Sequence, residues 1–210
     1  MRNVRNLAYD NQDENISYQA HGNLYLNITN RCNLKCHFCP KFNRQWVIDE
    51  HSLLLLHEPT VDEIITAVGD ISPYNEIVFC GLGEPSLRLN TVLEVATYLK
   101  SKGASLRLNT NGLANREYKR DITPELSECL DSLSISLNAQ DEIVYDYHCR
   151  PKELGAYYEM RDFITCASNT FTDITLTAIE GIQCVDIHAC EKIAKESGVK
   201  FKKRLYNVIG

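Results

Sequence analysis

The stretch "TNRCNLKCHFCPK" (residues 29–41) places Cys32, Cys36 and Cys39 in one short segment, and the next cysteine along the chain is Cys80. Just before it, "NLYLNIT" (23–29) is an apolar run of strand length, so the three thiols fall in a loop at the carboxyl end of a first strand. A structural zinc ion takes four nitrogen or sulfur ligands. Three cysteines would need a fourth ligand, and His37 is the nearest candidate, inside a loop too short to wrap all four side chains comfortably. A four-iron cube held by three thiolates needs no fourth residue, because one iron is left for a ligand that is not protein. Ferredoxin spacings, by contrast, bring a fourth cysteine. Spacing alone leaves both chemistries open.

Outward from that loop, short apolar runs alternate with amphipathic stretches. Further strands are expected within "EIVFCGLGEP" (76–85), "SLRLNTNG" (105–112), "DSLSISLNA" (131–139), "DITLTAIEG" (173–181) and "VKFKKRLYNV" (199–208). Helices are expected over 61–71 after the cap-like Thr60, 90–102 closed by Gly103, 154–167, and 186–197 closed by Gly198, with a shorter one over 124–130. Strands and helices in this order call for right-handed crossovers and a parallel sheet. A closed eight-fold barrel uses about 250 residues, so 210 residues with six strands fit an open, partial (β/α)6 barrel. A doubly wound sheet is the alternative. In both, functional groups gather beyond the carboxyl ends of the strands, which is where the cysteines, "GLGEP", "NTNG", and Ser136 with Asn138 fall. Residues 1–20, rich in Asn, Asp and Gln, are expected to be an outer or partly disordered arm, and 21–210 one core domain. The connection over 41–59 is long enough to be functional and is expected near the mouth of the site.

Composition narrows the function. With 44% hydrophobic and 24% charged residues the chain is globular in character. Twenty-two basic against twenty-eight acidic residues, net charge −6, argue against broad binding to a phosphate backbone. The basic run Lys200, Lys202, Lys203, Arg204 interleaves with Phe201 and Leu205 and reads as an exposed strand face. No segment approaches the roughly 18 apolar residues of a membrane helix, and the charged start lacks the apolar run of a signal peptide. A cytoplasmic location is therefore expected. Nine cysteines in a reducing compartment favour metal or redox chemistry for a close cluster. Cys80, Cys129, Cys149, Cys166, Cys184 and Cys190 are expected mostly as small apolar residues, without a second cluster.

"CNLKCHFC" resembles the C-x3-C-x-Φ-C signature of radical S-adenosylmethionine (SAM) enzymes, with Phe38 at the aromatic position, and the motifs that follow come in the family's order. "GLGEP" resembles the family's Gly-Gly-Glu motif, with Gly83 and Glu84 at the matching positions. The resemblance implies a [4Fe-4S] cluster on Cys32, Cys36 and Cys39, with SAM chelating the open iron through its amine and carboxylate. Gly83 and Glu84 would receive the methionine amine. Asn109, Asn111, Ser136 and Asn138 would meet the ribose or methionine part, Arg150 the carboxylate, and Phe38 the adenine, helped by the backbone of 179–181 and by Tyr206 and Asn207. It implies reductive cleavage of SAM to a 5′-deoxyadenosyl radical that takes hydrogen from a substrate, and a reductant such as flavodoxin or ferredoxin. Over nearly the whole chain the sequence is also similar to the small radical SAM proteins associated with the TatD nuclease family, which implies a TatD-family partner. The substrate is not identified by these motifs; a peptide, a protein or a nucleic-acid-derived molecule is allowed, and so equally is a small substrate closed in by Lys41 to Pro59. Within the family a glycyl-radical-enzyme activase is the alternative; outside it, a structural zinc-binding interaction module.

Overall fold

Two-residue alternation in "LRLNT" and "SLSIS" gives each strand one apolar and one polar side. The computed structural model, which describes residues 14–43, 46–48 and 51–206, shows what each side meets. Among these residues the strands are β1 (Ser17–Ala20), β2 (Asn23–Leu26), β3 (Val47–Ile48), β4 (His51–Ser52), β5 (Ile77–Phe79), β6 (Leu106–Thr110), β7 (Ser132–Ser136), β8 (Ile174–Glu180) and β9 (Lys200–Leu205). The helices are α1 (Val61–Val68), α2 (Leu89–Ser101), α3 (Ala114–Tyr118), α4 (Thr123–Ser127), α5 (Glu142–Cys149), α6 (Ala156–Ser168) and α7 (Ile187–Glu196). The main sheet runs β1-β2-β5-β6-β7-β8-β9. All neighbours are parallel except β1 and β2.

The apolar residues of the strands, such as Phe79, Leu106, Leu108, Leu133, Ile135 and Leu176, share one core with helix residues such as Ile64, Val92, Leu99, Leu126 and Phe163. Each large side chain buried there contributes about 1.5–3 kcal/mol. The intervening residues Arg107, Asn109, Ser132, Ser134 and Ser136 face the other way and are only half-buried. Helices on one face and a curled sheet open on the other make a half-barrel, as the length and strand count led us to expect, rather than a doubly wound sheet with helices on both faces.

Local chemistry sets the element ends. Thr60 Oγ1 accepts from Glu63 N, and the Glu63 carboxylate accepts from Thr60 N at 2.7 Å, a capping box that starts α1. Gly69, at φ 59°, ends it before the expected residue 71. Helix α5 was not anticipated: Asp141 caps it by accepting from Val144 N at 2.9 Å, and Tyr145, His148 and Cys149 point inward at helical spacing.

Two segments depart from expectation. Ser17–Ala20, assigned from the sequence to an outer arm, form an edge strand antiparallel to β2, so the sheet has seven strands, six of them parallel. Tyr18 anchors this strand by stacking on Tyr25 at 5.3 Å. The connection over 41–59 does not only border the mouth. Its β3–β4 hairpin, closed by a bond from Leu53 N to Trp46 O at 2.8 Å, packs Leu53 and Trp46 with Tyr18, Tyr25, Val78 and Leu82 on the concave side. Asn27 holds it there, donating from Nδ2 to Leu53 O at 3.0 Å.

Candidate functional site

The cysteine loop leaves the carboxyl end of β2 and is fastened on two sides. On one side lies the turn after β5. Glu84 N donates to Arg31 O at 2.7 Å, and Gly83 lies so close that an added Cβ would stand 2.1 Å from Thr29 O and 2.7 Å from Arg31 O. Only glycine permits that approach. Below it, Glu58 accepts from Thr29 Oγ1 at 2.5 Å and from Arg31 Nε at 2.6 Å, while Arg88 Nη1 donates to Ile28 O and Pro59 O at 2.7 and 2.8 Å. These pairs pull the Glu58 carboxyl below its ordinary value against the opposing effect of burial.

On the other side the loop is laced to the end of α5. Lys35 N donates to Cys149 O and His37 N to His148 O, both at 3.0 Å. The His37 and His148 rings stack at 4.7 Å with their Nδ1 atoms 3.3 Å apart. His148 Nε2 lies 2.6 Å from Gln183 O, so it carries the proton, and in the neutral ring Nδ1 is left to accept from His37. Burial keeps His148 below the usual imidazole range, consistent with that neutral form.

Glu84 is buried, and its carboxylate accepts from Ser86 N at 3.1 Å, Thr110 Oγ1 at 2.8 Å and Asn111 N at 2.7 Å. Burial raises its pKa and these donors oppose the shift. The carboxylate thus ties the end of β6 to the turn after β5 and aims Asn111, whose Nδ2 donates to Asn33 Oδ1 at 2.7 Å and lies 3.9 Å from Cys32 Sγ. A carboxylate offers roughly four acceptor positions, so one remains for a further donor.

All three loop thiols are free and half-buried. Burial, with the Glu84 carboxylate adding to it, pushes the Cys32 thiol up to about 12. Burial also raises Cys39, and the contact with Cys149 together with burial raises Cys36. Without a metal these groups are thiols, and metal binding displaces their protons. Three soft ligands in a backbone-fastened loop suit an iron-sulfur cluster. Among the described residues no group of three or more His, Cys, Asp or Glu side chains is already drawn together around one point. The choice between zinc and a cluster rests instead on donor chemistry, and three soft thiolates in one loop fit the cube.

The other anticipated residues are distributed around this loop. Phe38 makes an edge contact with His37 at 5.6 Å. Asn109 bonds Cys80 on the concave face, and its Oδ1 has no partner. Ser136 is at the top of β7. Asn138, at φ 61°, donates from Nδ2 to Cys149 Sγ at 3.5 Å and leaves Oδ1 without a partner. Arg150 is the exposed, left-handed cap of α5 at φ 47°. Tyr206 is exposed, and Asn207 lies outside the described residues. Of the six scattered cysteines, Cys129, Cys149 and Cys190 are buried, whereas Cys184 is exposed. Sequence reasoning missed Thr110, His148 and Cys149 as partners of the site; the tripeptide "YHC" at the end of a capped helix pattern was the available signal. It also missed Arg204, which is half-buried rather than part of an exposed face.

Known proteins resemble this chain in sequence and in fold. The family model of the radical SAM superfamily matches residues 26–160, from β2 through the first turn and more of α6, and the chain belongs to that superfamily. Its members use a [4Fe-4S] cluster and SAM. A protein of Methanococcus maripaludis assigned as a GTP 3′,8-cyclase is 32% identical over 57% of this chain and 37% of its own length. One of Methanocaldococcus jannaschii assigned as a glycyl-radical enzyme activating enzyme is 30% identical over 64% of this chain and 45% of its own. The chain thus spans less than half the length of these curated relatives. The solved structure of TYW1 with a lysine-pyruvate adduct bound superposes with a TM-score of 0.59 at 14% identity, covering 88% of this chain and 65% of that one, a likeness of fold. No helix among the described residues is long and apolar enough to cross a membrane.

Proposed function

We propose that Cys32, Cys36 and Cys39 hold a [4Fe-4S] cluster whose fourth iron is left for SAM, and that the protein acts as a radical SAM enzyme. The observation that carries this reading is the arrangement of three free thiols in one loop, fastened between the Glu84 turn and the end of α5 at the carboxyl ends of parallel strands. Held there and reduced, such a cluster would supply the single electron for reductive cleavage of SAM, the chemistry by which hydrogen would be taken from a substrate. The chain's own part is positioning. Glu84, with an acceptor position to spare, takes an N–H of the methionine amine. Asn111 and Asn109 orient the ribose and methionine parts, with Ser136 and Asn138 at the top of β7 completing that wall. Phe38 bounds the adenine slot, and Arg150 answers the carboxylate. Cys149 is buried beneath Cys36 and bonded to Asn138, so it serves the packing under the loop and leaves the fourth iron free.

A reductant of the flavodoxin or ferredoxin kind and a TatD-family protein are the proposed partners, in the cytoplasm. Glycyl-radical activation of a partner enzyme is the second reading, favoured by the likeness to the M. jannaschii protein. Anaerobic reconstitution tests the proposal: about four irons and four sulfides per chain, a change in the reduced cluster's electron paramagnetic resonance on adding SAM, and release of 5′-deoxyadenosine are expected. One zinc per chain, or a spectrum indifferent to SAM, overturns it.

A further inference from the structure

The concave face carries positive charge for which the cofactor site has no use. On β9, Phe201 packs into the helix-side core, so by strand alternation Lys200, Lys202 and Arg204 turn to the concave side. Lys200 is paired with Asp173 at 2.9 Å, and Lys203, on the opposite side, with Glu180 at 2.9 Å. Lys202 and Arg204 have no carboxylate partner among the described residues. Arg204 is half-buried, and its Nε has no hydrogen-bond partner. The sulfur atoms of Cys80, just past the end of β5, and of Cys36 in the cysteine loop lie near it, which puts it on the concave side beside that loop.

Its surroundings are unspent in the same sense. Asn109 Oδ1 and Arg107 Nε, both on the concave side of β6, also lack partners, although Arg107 Nη2 reaches Glu76 at 3.2 Å. Thr177, in register with Lys202, adds a hydroxyl between them and β7. A guanidinium drawn out of water without a counter-charge is destabilising, and its fork of donors is matched by carboxylate or phosphate oxygens.

We propose that Arg204, assisted by Lys202, binds an anionic group of the substrate, a carboxylate or a phosphate, on the concave face between β6 and β9. This deepens the radical SAM reading by giving the substrate a chemical class, and it accounts for a charge on the concave side that packing does not explain.

The test is calorimetric titration of anaerobically reconstituted, SAM-saturated protein with inorganic phosphate and, separately, with acetate. At least one should bind saturably, and which one does identifies the group. Arg204→Gln should weaken that binding by about tenfold or more, Arg204→Lys and Lys202→Gln by less, while SAM affinity in all three stays within about twofold. The proposal fails if neither anion saturates the wild-type protein. It fails equally if Arg204→Gln weakens SAM and spares the anions, which would put the guanidinium on the cofactor's own carboxylate. Circular dichroism checks folding, and if Arg204→Gln does not fold, the wild-type and Lys202→Gln titrations decide. Failure to take up iron with anion binding intact would overturn the cofactor reading and leave this one standing.

Discussion

On the convex side of the sheet Leu106, Leu108, Leu133 and Ile135 meet helices and are fully buried. One residue away along the same strands, Arg107, Asn109, Ser134 and Ser136 meet no helix and stay half-buried. The concave side is itself divided. Toward β1, β2 and β5 it is apolar and roofed by Trp46 and Leu53, and from β6 to β9 it is polar and keeps donors and acceptors without partners. Apolar burial is concentrated on the first surface, and unpaired polar groups are left on the last. The difference teaches that a parallel strand need not be apolar on both sides when the sheet curls and only one side carries helices.

That contrast can be broken outright at the cysteine loop. Replacing Cys32, Cys36 or Cys39 by alanine should abolish iron binding, from about four irons to near zero, with little change in thermal stability of the apoprotein. Cys149→Ala should keep its iron, and loss of iron in that variant would mean that Cys149 supplies the fourth ligand. Iron and sulfide analysis with absorption spectra distinguishes the cases.

The next effect compares the two faces directly. Leu108→Ala removes a fully buried side chain from the helix-side core and should cost about 2–5 kcal/mol. Ser134→Ala, on the opposite face of the neighbouring strand, should stay within about 0.5 kcal/mol. Chemical denaturation measures both, and equal losses would erase the distinction. Gly83→Ala comes third. Its Cβ would meet the backbone carbonyls of Thr29 and Arg31 rather than a side chain that can move aside, so a loss of about 1–3 kcal/mol is expected, accompanied by weaker iron retention.

The smallest effect lies on the convex periphery. Glu63 is held at a pKa of about 2, chiefly by Thr60 N. A depressed carboxyl stabilises the fold above its unfolded value and stops doing so as pH falls through its folded one. The contribution of the α1 cap should therefore be complete above about pH 4.5 and fade toward pH 2. Glu63→Gln should lower the melting temperature slightly at pH 7, by an amount that shrinks as the pH falls from 4.5 toward 2.

The legible parts of the fold were those with local causes. Thr60, Gly103 and Gly198 punctuate their helices, and "LRLNT" and "SLSIS" display their two faces in the order of their letters. Strand β1 escaped notice because a single buried aromatic, Tyr18, holds it. Helix α5 escaped because eight residues of mixed character carry little periodicity. The cysteine loop was legible since its thiols are neighbours in sequence. The residues that fasten it, His148, Cys149 and Thr110, come from elements far along the chain and meet it only through the topology. Arg204 was misplaced for a related reason: its neighbours Lys202 and Lys203 are exposed, and nothing local indicates that one member of a basic run is drawn half out of water.

The last strand, finally, pairs with β8 alone among the described residues, so its other edge presents backbone donors and acceptors that a second chain could extend. Lys200 and Lys203 along it are neutralised by Asp173 and Glu180, and Lys202 keeps its charge, so two such edges brought together would set unpaired lysines against each other. Neutralising Lys202 should therefore raise the tendency of the protein to self-associate at ordinary ionic strength.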